Sequence, residues 1–312
     1  MLILRRVRGS FSINYFVRRA CAVALMLLLA PATWAAEHGA PAELKTYQRD
    51  GGETFFALSL TPPVKMAKSQ SADVIIVFDT SASQTGAYRE TAFAALESCI
   101  AKLQPGDRVQ LLAADLEARP LTERFLAAGS PELNQAIEAL RHESPLGSTD
   151  MEQVLRTAVE RFDLAHTASR SILDIGDGLS NANLLGTDPF RELVQALAAA
   201  RASVSSYAIG PQCDGRLLAA LANQTGGNLY VAESLASADE QQKITADRAQ
   251  QDNVRRGAEV GQLMADWTRA AVVWPGKVTW PAELGEVYPT SVPPLRSDRD
   301  TVIVGAANKP LD

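Results

Sequence analysis

Cysteine and histidine are scarce in this chain of 312 residues, which contains three of each. Neither residue type forms a pair or cluster with the spacing of metal ligands, so the sequence argues against a zinc site. Cys99 falls near the end of a predicted helix, and Cys213 falls in a loop that we expect at the opposite rim. We therefore expect two free thiols, with a disulfide between them as the alternative in an oxidising compartment.

Long hydrophobic runs are also lacking. The apolar run at residues 20–29 is too short to cross a bilayer, which takes about 20 residues. Five arginines precede this run, and small residues follow it as far as Ala35. This order is typical of a secretory signal peptide, so we predict that residues 1–35 direct export to the periplasm, cell envelope or medium and are then removed. The alternative is an uncleaved signal anchor that tethers the protein to a membrane.

Basic residues are outnumbered, and no basic patch is present. Removing residues 1–35 lowers the count of Lys and Arg from 30 to 25 while Asp and Glu stay at 36, so the net charge changes from −6 to −11. Binding to nucleic acid depends on neutralising phosphates with basic side chains, so this composition argues against a nucleic-acid partner. An acidic exported protein can instead attract cations.

Short apolar runs alternate with helical periodicity from Asp73 to Val231. The run at 74–78 is continuous and β-branched, as expected of a strand covered on both faces. Strands alternating with helices predict an α/β fold with a doubly wound, mostly parallel sheet. The further strands are predicted at 109–113, 171–175, 204–209 and 229–231, and the helices at 89–103, 133–140, 151–162, 190–200 and 217–222. Asp188 and Pro189 are expected to cap and begin the fourth of these helices.

The flanks of this region have a different composition. Residues 53–60 alternate apolar and polar side chains and predict a strand, whereas residues 279–304 are rich in proline and β-branched residues and end in a short strand at 302–304. We predict a division of the chain into five parts. They are a signal peptide at 1–35, an N-terminal β flank at 36–70, the central domain at 71–237, a solvated surface helix at 238–269 and a C-terminal β segment at 270–312.

Three loops expected to leave the carboxyl ends of strands are rich in oxygen donors. Asp79, Ser81 and Ser83 are two residues apart, so their side chains project to one side of an extended loop. Thr149 comes just before a predicted helix, and Asp177 follows a strand directly. Ligands of open parallel sheets bind at this edge. Two carboxylates with hydroxyls suit a hard cation, so the five residues predict a site for Mg²⁺, with Mn²⁺ or Ca²⁺ as alternatives.

Each donor also has an ordinary structural interpretation. Ser81 or Ser83 could cap the next helix, the sequence 149–152 fits a capping box, and Asp177 with Gly178 could form only a turn. We favour the metal because all three loops leave the same edge of one sheet. A metal held in this way lacks a ligand, which an acidic side chain of a protein partner can supply.

The segment 73–231 resembles a von Willebrand factor A domain. Its sequence Asp79-Thr80-Ser81-Ala82-Ser83 is similar to the Asp-x-Ser-x-Ser metal-ion-dependent adhesion motif of that family. The resemblance implies that Thr149 fills the threonine position and Asp177 the second aspartate. It further implies that Asp177 reaches the metal through water, and the other four residues directly or through water. A Rossmann-like fold follows from the same resemblance, as does a role in binding rather than catalysis.

The resemblance extends to both flanks. Residues 55–63 and 287–295 are similar to the flanks of inter-alpha-trypsin inhibitor heavy-chain-type proteins, where they belong to β-rich accessory structure. The amino-terminal domain typical of that group has no room in residues 36–62, and more strands would be expected after Val304. We therefore expect a shortened relative. Asp174 is an unusual charge in a strand expected to be buried, and its parity predicts the sheet face opposite Asp177, so we do not expect it to be a ligand.

The leading hypothesis is an exported, divalent-cation-dependent protein-binding module that serves adhesion or scaffolding. The alternative is a scaffold that binds partners through the β flanks and leaves its metal site idle. A metal-dependent hydrolase is disfavoured, because Ser81 stands where aspartate-nucleophile phosphatases have a second aspartate. In addition, Ser180 is not in a Gly-x-Ser-x-Gly elbow, and no phosphate-binding glycine loop with lysine is present.

Overall fold

The computed structural model describes residues 42–50, 52–62, 70–233 and 243–308, with the side chains of the last helix described from residue 248. The predicted signal peptide lies outside the described residues. The chain divides into two compact units. Among the described residues, the larger unit comprises those within 64–276 and 293–299, and the smaller comprises those within 42–62, 277–292 and 300–308.

The larger unit contains a seven-stranded sheet. Its strands are β3 (Ala72–Asp79), β4 (Arg108–Ala114), β5 (Ala118–Pro120), β6 (Leu126–Ala127), β7 (Ser169–Gly176), β8 (Ala202–Ala208) and β9 (Leu229–Val231). The order across the sheet is β5-β4-β3-β7-β8-β9, and β6 also pairs with β4. β3, β4, β7, β8 and β9 run parallel, and β5 and β6 run antiparallel to β4. The predicted mostly parallel α/β sheet is confirmed.

Helices cover both faces of this sheet. They are α1 (Gly86–Lys102), α2 (Pro131–His142), α3 (Met151–Glu160), α4 (Thr187–Ala199), α5 (Gly215–Thr225) and α6 (Lys243–Trp267). Alternate residues of β3 point to opposite faces, and both sets are buried because each meets helices. Val74, Ile76 and Phe78 pack in a core with α1, α2 and α6. Ile75 and Val77 pack in a second core with α3, α4 and α5.

The start of α4 differs from the sequence-based expectation. The helix begins at Thr187 and its N-cap is Gly186, which provides no side-chain hydrogen bond. Asp188 and Pro189 therefore lie inside the first turn, and the predicted cap at Asp188 is wrong. A negative charge in the first turn still favours the helix, because it interacts with the positive end of the helix dipole.

Helix α6 packs much more closely than its sparse apolar positions indicate. Val260, Met264 and Trp267 are buried in the same core as α1. Two glycines make the close approach possible. A Cβ atom at Gly257 would lie 2.4 Å from the carbonyl oxygen of Thr91, and one at Gly261 would lie 2.1 Å from that of Ala95. The segment predicted as a solvated surface helix thus contributes a packed face to the core.

Gly261→Ala is expected to lower the free energy of unfolding by about 1–3 kcal/mol, because the added methyl group must separate α6 from the α1 backbone. On an isolated helix the same change would stabilise by up to about 1 kcal/mol, so the sign of the effect identifies the contact. Urea denaturation measures it. Gln262→Ala, on the exposed face of the same helix, is the matched control. Equal stability of Gly261→Ala and the unchanged chain would contradict the close packing.

The smaller unit is a four-stranded antiparallel sheet. Its strands are β1 (Ala42–Gln48), β2 (Thr54–Leu60), β11 (Leu284–Tyr288) and β13 (Thr301–Ala307), in the order β1-β2-β13-β11. β10 (Val272–Val273) and β12 (Leu295–Arg296) form a two-stranded ribbon in the larger unit. The sequence predicted β2 and β13 but not β1, whose residues are mostly exposed and lack an apolar alternation.

Cys99 and Cys213 are both free, which confirms the prediction of two thiols. Cys99 lies on α1 and is buried in the core, and burial raises the pKa of its thiol to about 12. Burial, together with the nearby Asp177 and Asp174, raises the pKa of Cys213 to about 11. Within the parts of the chain that the structure describes, no helix combines the length and apolar character needed to span a membrane.

Candidate metal site

The first donor loop follows β3 at the carboxyl edge of the large sheet. Asp79 is the last residue of the strand and is buried. Its Oδ1 atom accepts a hydrogen bond of 2.8 Å from the backbone N–H of Ser81, which turns the loop back over the strand end. The side-chain oxygens of Ser81 and Ser83 lie 2.9 Å apart. The alternation that the sequence predicts therefore holds, because both hydroxyls lie on one side of the loop.

The second carboxylate belongs to Asp177, which follows the end of β7. Its Oδ2 atom accepts a 2.6 Å hydrogen bond from the Ser83 hydroxyl, and its Oδ1 atom accepts one of 2.9 Å from the N–H of Leu179. Gly178 has a positive φ of 70°, which glycine adopts without strain. Asp177 and Gly178 thus do form a turn, as the ordinary interpretation proposed. That turn leaves one carboxylate oxygen directed at the first donor loop.

Thr149 closes the group from the third loop. Its hydroxyl donates to Asp79 Oδ1 over 3.2 Å. Thr149 is not the cap of α3, because Asp150 occupies that position and accepts from the N–H of Gln153. The backbone ties this loop to the first one, since Ala82 donates to the carbonyl oxygen of Gly147 over 3.1 Å.

The capping alternative for the two serines also fails. The N-cap of α1 is Thr85, which makes no side-chain cap, so neither Ser81 nor Ser83 is used there. The structure therefore brings together all five side chains that the sequence singled out. They are Asp79, Ser81, Ser83, Thr149 and Asp177.

Two glycines leave room for the carboxylates. A Cβ atom at Gly176 would lie 2.6 Å from Asp79 Cβ and 2.8 Å from its Oδ2. One at Gly210 would lie 2.7 Å from Asp177 Cβ. Gly176 is the last residue of β7 and Gly210 lies two residues after the end of β8, so a larger residue at either position would displace the neighbouring carboxylate. These two positions were not predicted from the sequence, because the contact depends on how neighbouring strands align.

Burial disfavours the charged forms of both carboxylates in the site. Removal from water raises the pKa of Asp79 to about 6, with a further contribution from the negative charge of Asp177. Burial likewise raises the pKa of Asp177. Backbone and hydroxyl hydrogen bonds offset part of this effect at both residues. A divalent cation between the carboxylates would favour their charged forms.

Asp174 lies beneath this group and is fully buried. In the parallel ladder it pairs with Val77, two residues before Asp79, so Asp174 and Asp79 share a face of the sheet. Parity did not reveal this, because β7 ends at Gly176 and Asp177 is already in the loop. Asp174 Oδ2 has no hydrogen-bond partner of good geometry, and the same holds for Ser206 Oγ on the neighbouring strand. Burial and the charge of Asp79 raise the pKa of Asp174 to about 7.

The donor set fits a hard cation. Two carboxylates and three hydroxyls supply only oxygen, which Mg²⁺, Mn²⁺ and Ca²⁺ prefer. Among the described residues, no group of three or more His, Cys, Asp or Glu side chains is arranged to hold a metal. The candidate site depends on hydroxyls for most of its ligands, and so it differs from sites built on carboxylates or imidazoles alone.

Comparison with known proteins places the fold. A model of the von Willebrand factor type A domain matches residues 72–231. No curated protein matches the sequence. Among solved structures, the von Willebrand factor type A protein from Catenulispora acidiphila aligns with a TM-score of 0.58 at 15% identity. The alignment covers 87% of this chain and 65% of the length of that one.

Two further structures are similar at lower scores. The ArnB paralog VWA2 from Sulfolobus acidocaldarius has a TM-score of 0.50 at 12% identity, over 86% of this chain and 67% of that one. Proximal thread matrix protein 1 from the mussel byssus, with a zinc-occupied MIDAS motif, has a TM-score of 0.43 at 15% identity, over 59% of this chain and 46% of that one. At these identities, the two structures with TM-scores of 0.58 and 0.50 show a shared fold.

Proposed function

The chain belongs to the von Willebrand factor type A family, and from that premise we propose that it is an exported, cation-dependent protein-binding module. The cation is held at the carboxyl edge of the large sheet, and a partner protein completes its coordination with an acidic side chain. The proposed ligands, direct or through water, are Asp79, Ser81, Ser83, Thr149 and Asp177.

The observation that carries this proposal is the convergence of oxygen donors from three separate loops. Two buried carboxylates lie in the group, and their pKa values are raised by burial. Within the described part of the chain, no Lys or Arg side chain pairs with Asp79 or Asp177, although buried carboxylates are usually paired. A bound cation would supply the missing positive charge.

Binding of a partner carboxylate follows from the count of ligands. Mg²⁺ requires six oxygens in near-octahedral geometry, and three of the five proposed donors are neutral hydroxyls. At least one position is left for water, which an acidic side chain can replace while bringing a compensating charge. When bound, the cation supplies the Lewis acid that attracts this carboxylate. The loops of this chain orient it.

Water-proton relaxation on the Mn²⁺-loaded chain tests the open position. Bound Mn²⁺ should enhance relaxation through an exchangeable water, and propionate should reduce the enhancement as it replaces that water. Propionamide is the matched control, because it has the same shape without the charge, and it should leave the enhancement in place. If the two compounds act equally, or if Mn²⁺ gives no enhancement at all, the proposed docking role is incorrect.

Gly176→Ala is expected to weaken Mg²⁺ or Mn²⁺ binding by about 10- to 100-fold, the usual effect of disturbing the support of a metal ligand. The added methyl group would overlap Asp79, so the carboxylate must shift away from the other donors. Calorimetric titration measures the loss. Gly215→Ala is the control, because a Cβ atom there meets nothing within 4 Å. A Gly176→Ala variant with undiminished affinity would contradict the assignment of Asp79.

A second candidate function rests on the smaller unit. One face of its sheet exposes Tyr47, Phe55, Tyr288 and Val304, and a groove of about 450 Å³ lies along these side chains. Exposed apolar patches of this kind often contact other proteins. The chain would then act as a scaffold with an idle metal site. Partner binding that persists in chelator and in Asp79→Ala would favour this function over the first.

A further inference from the structure

Three exposed leucines lie in the loops that adjoin the candidate metal site. Leu116, Leu146 and Leu184 are 57%, 69% and 86% exposed, and each lies in a different loop at the carboxyl edge of the large sheet. We propose that these side chains, the leucine rim, form a docking surface for a protein segment in which one aspartate or glutamate is flanked by apolar side chains. The inference rests on the proposed function, since the acidic side chain is the one that reaches the metal.

Leu116 is held outward at the tip of the turn between β4 and β5. Asp115 donates its backbone N–H to the carbonyl oxygen of Glu117 over 3.2 Å, which leaves the residue between them at the apex. The turn is joined to the site on both sides. The N–H of Thr80 donates to Ala114, and that of Asp150 donates to Asp115, over 2.8 and 3.0 Å. The position of Leu116 is therefore set by the same loops that hold Asp79 and Thr149.

Leu146 precedes the loop that carries Thr149. Its backbone N–H donates to the carbonyl oxygen of Thr80 over 2.9 Å. Thr80 stands between Asp79 and Ser81, so this hydrogen bond fixes the Leu146 backbone beside the first donor loop. The side chain nevertheless projects into solvent. An anchored backbone with an exposed apolar side chain has a low entropic cost of binding, because the loop needs no further ordering.

Leu184 lies in the loop that follows Asp177. The Ser180 hydroxyl holds this loop by donating to the carbonyl oxygen of Asn183 over 2.6 Å, and Ala182 donates its N–H to Thr149 over 3.2 Å. The next residue, Leu185, packs against the core, which turns Leu184 away from it. The most exposed leucine of the three is thus presented by an ordered loop and not by a chain end.

The charged side chains near the leucine rim limit the kind of protein segment that can bind there. Asp115, Glu117 and Asp150 all reach solvent in the same loops. A partner with several acidic residues would be repelled by them, whereas a single acidic side chain gains the metal and keeps its distance from the rest. Apolar side chains next to that acid would be removed from water by the leucine rim. The complementary ligand is therefore one carboxylate with apolar neighbours.

An extended segment has the form that this docking requires. In an extended peptide, the side chains two residues before and after an aspartate project to the same face, about 7 Å from it. The carboxylate and its apolar neighbours can therefore face the chain together.

Three capped peptides test the proposal on the full chain with saturating Mg²⁺. They are Leu-Gly-Asp-Gly-Leu, Ser-Gly-Asp-Gly-Ser and Leu-Gly-Asn-Gly-Leu, each acetylated and amidated. Binding is measured from changes in the NMR chemical shifts of the methyl groups of the chain. We expect the first peptide to bind about tenfold more tightly than the second, because two leucine side chains are partly removed from water. The triple variant Leu116→Ser, Leu146→Ser, Leu184→Ser should bind both equally while its Mg²⁺ affinity is unchanged.

The matched control is Leu164→Ser, which changes a leucine of similar exposure at the opposite edge of the sheet and should keep the tenfold preference. Equal binding of the leucine and serine peptides to the unchanged chain would overturn the proposal. A preference that survives in the triple variant, or no binding of any peptide into the low millimolar range, would do so too. If the Asp and Asn peptides bind equally, the proposed carboxylate docking fails separately from the rim.

Discussion

Asp79→Ala is expected to lose divalent-cation binding, with an affinity at least about 100-fold below that of the unchanged chain, since even residues that merely support a ligand change affinity 10- to 100-fold. The side chain sits at the centre of the donor group. Its Oδ1 atom accepts from both the N–H of Ser81 and the hydroxyl of Thr149. Losing this carboxylate also removes one of only two negative charges among the proposed ligands.

Calorimetric titration of Mg²⁺ and Mn²⁺ measures this effect directly. Asp188→Ala is the control, because it also removes one carboxylate, from a mostly exposed position in α4. It should leave the heat of binding unchanged. The cation affinity of Ser83→Ala should lie between those of Asp79→Ala and Asp188→Ala, because water can replace a neutral hydroxyl as a ligand. Equal heats from Asp79→Ala and the unchanged chain would exclude the site.

Asp174→Asn is expected to stabilise the metal-free chain at pH 8, by about 2–4 kcal/mol, since a pKa raised from 3.8 to about 7 corresponds to about 1.4 kcal/mol per unit. Above pH 7 the folded chain must hold this carboxylate charged in the core, where Asp79 and Asp177 repel it. The unfolded chain ionises it freely in water. The amide has a similar shape and carries no charge, so the cost disappears.

The two pKa values of Asp174, about 7 in the folded chain and 3.8 in the unfolded chain, also give the sign of the pH dependence of stability. Between pH 4 and pH 7 the folded chain binds this proton more strongly than the unfolded chain does, so the stability contributed by Asp174 falls as the pH rises. The advantage of Asp174→Asn should therefore shrink when the pH is lowered from 8 to 4. Urea denaturation in chelator at both values tests this. A difference that is independent of pH, or a variant that is less stable at pH 8, would contradict the buried charge.

Saturating Mg²⁺ provides an independent check on Asp174. A cation held by Asp79 and Asp177 would lie close to the buried carboxylate and offset its negative charge. The advantage of Asp174→Asn at pH 8 should then become smaller than it is in chelator. Asp188→Asn is the control, and its stability should change by less than about 0.5 kcal/mol in either condition.

Local patterns were sufficient to predict most elements of the larger unit. The continuous β-branched run of β3 and the helical periodicity of α1 need only neighbouring residues to be recognised. β1 was missed because it has no apolar alternation, and it exists through its antiparallel pairing with β2. The close packing of α6 was missed for a related reason. The role of Gly257 and Gly261 depends on α1 packing against them, which the local sequence does not show.

The candidate site shows the same division. The spacing of Asp79, Ser81 and Ser83 and their place after a strand could be read from the sequence, and so could the order of the three loops. The sequence could not show whether each hydroxyl caps a helix or belongs to the donor group. The structure decides this for Thr149, because Asp150 caps α3 and the Thr149 hydroxyl donates to Asp79.

The amino-acid sequence by itself determined the parallel strands of the large sheet, the chemical type of the donors and the edge at which they lie. Tertiary structure alone decided which buried charges face one another and which apolar side chains stay in water. Asp174 lies beneath Asp79 because the parallel ladder pairs it with Val77. Leu116, Leu146 and Leu184 lie in loops that adjoin one site because hydrogen bonds join these loops to the donor loops. The physical reason is that these relations depend on residues far apart in the chain, which no local period encodes.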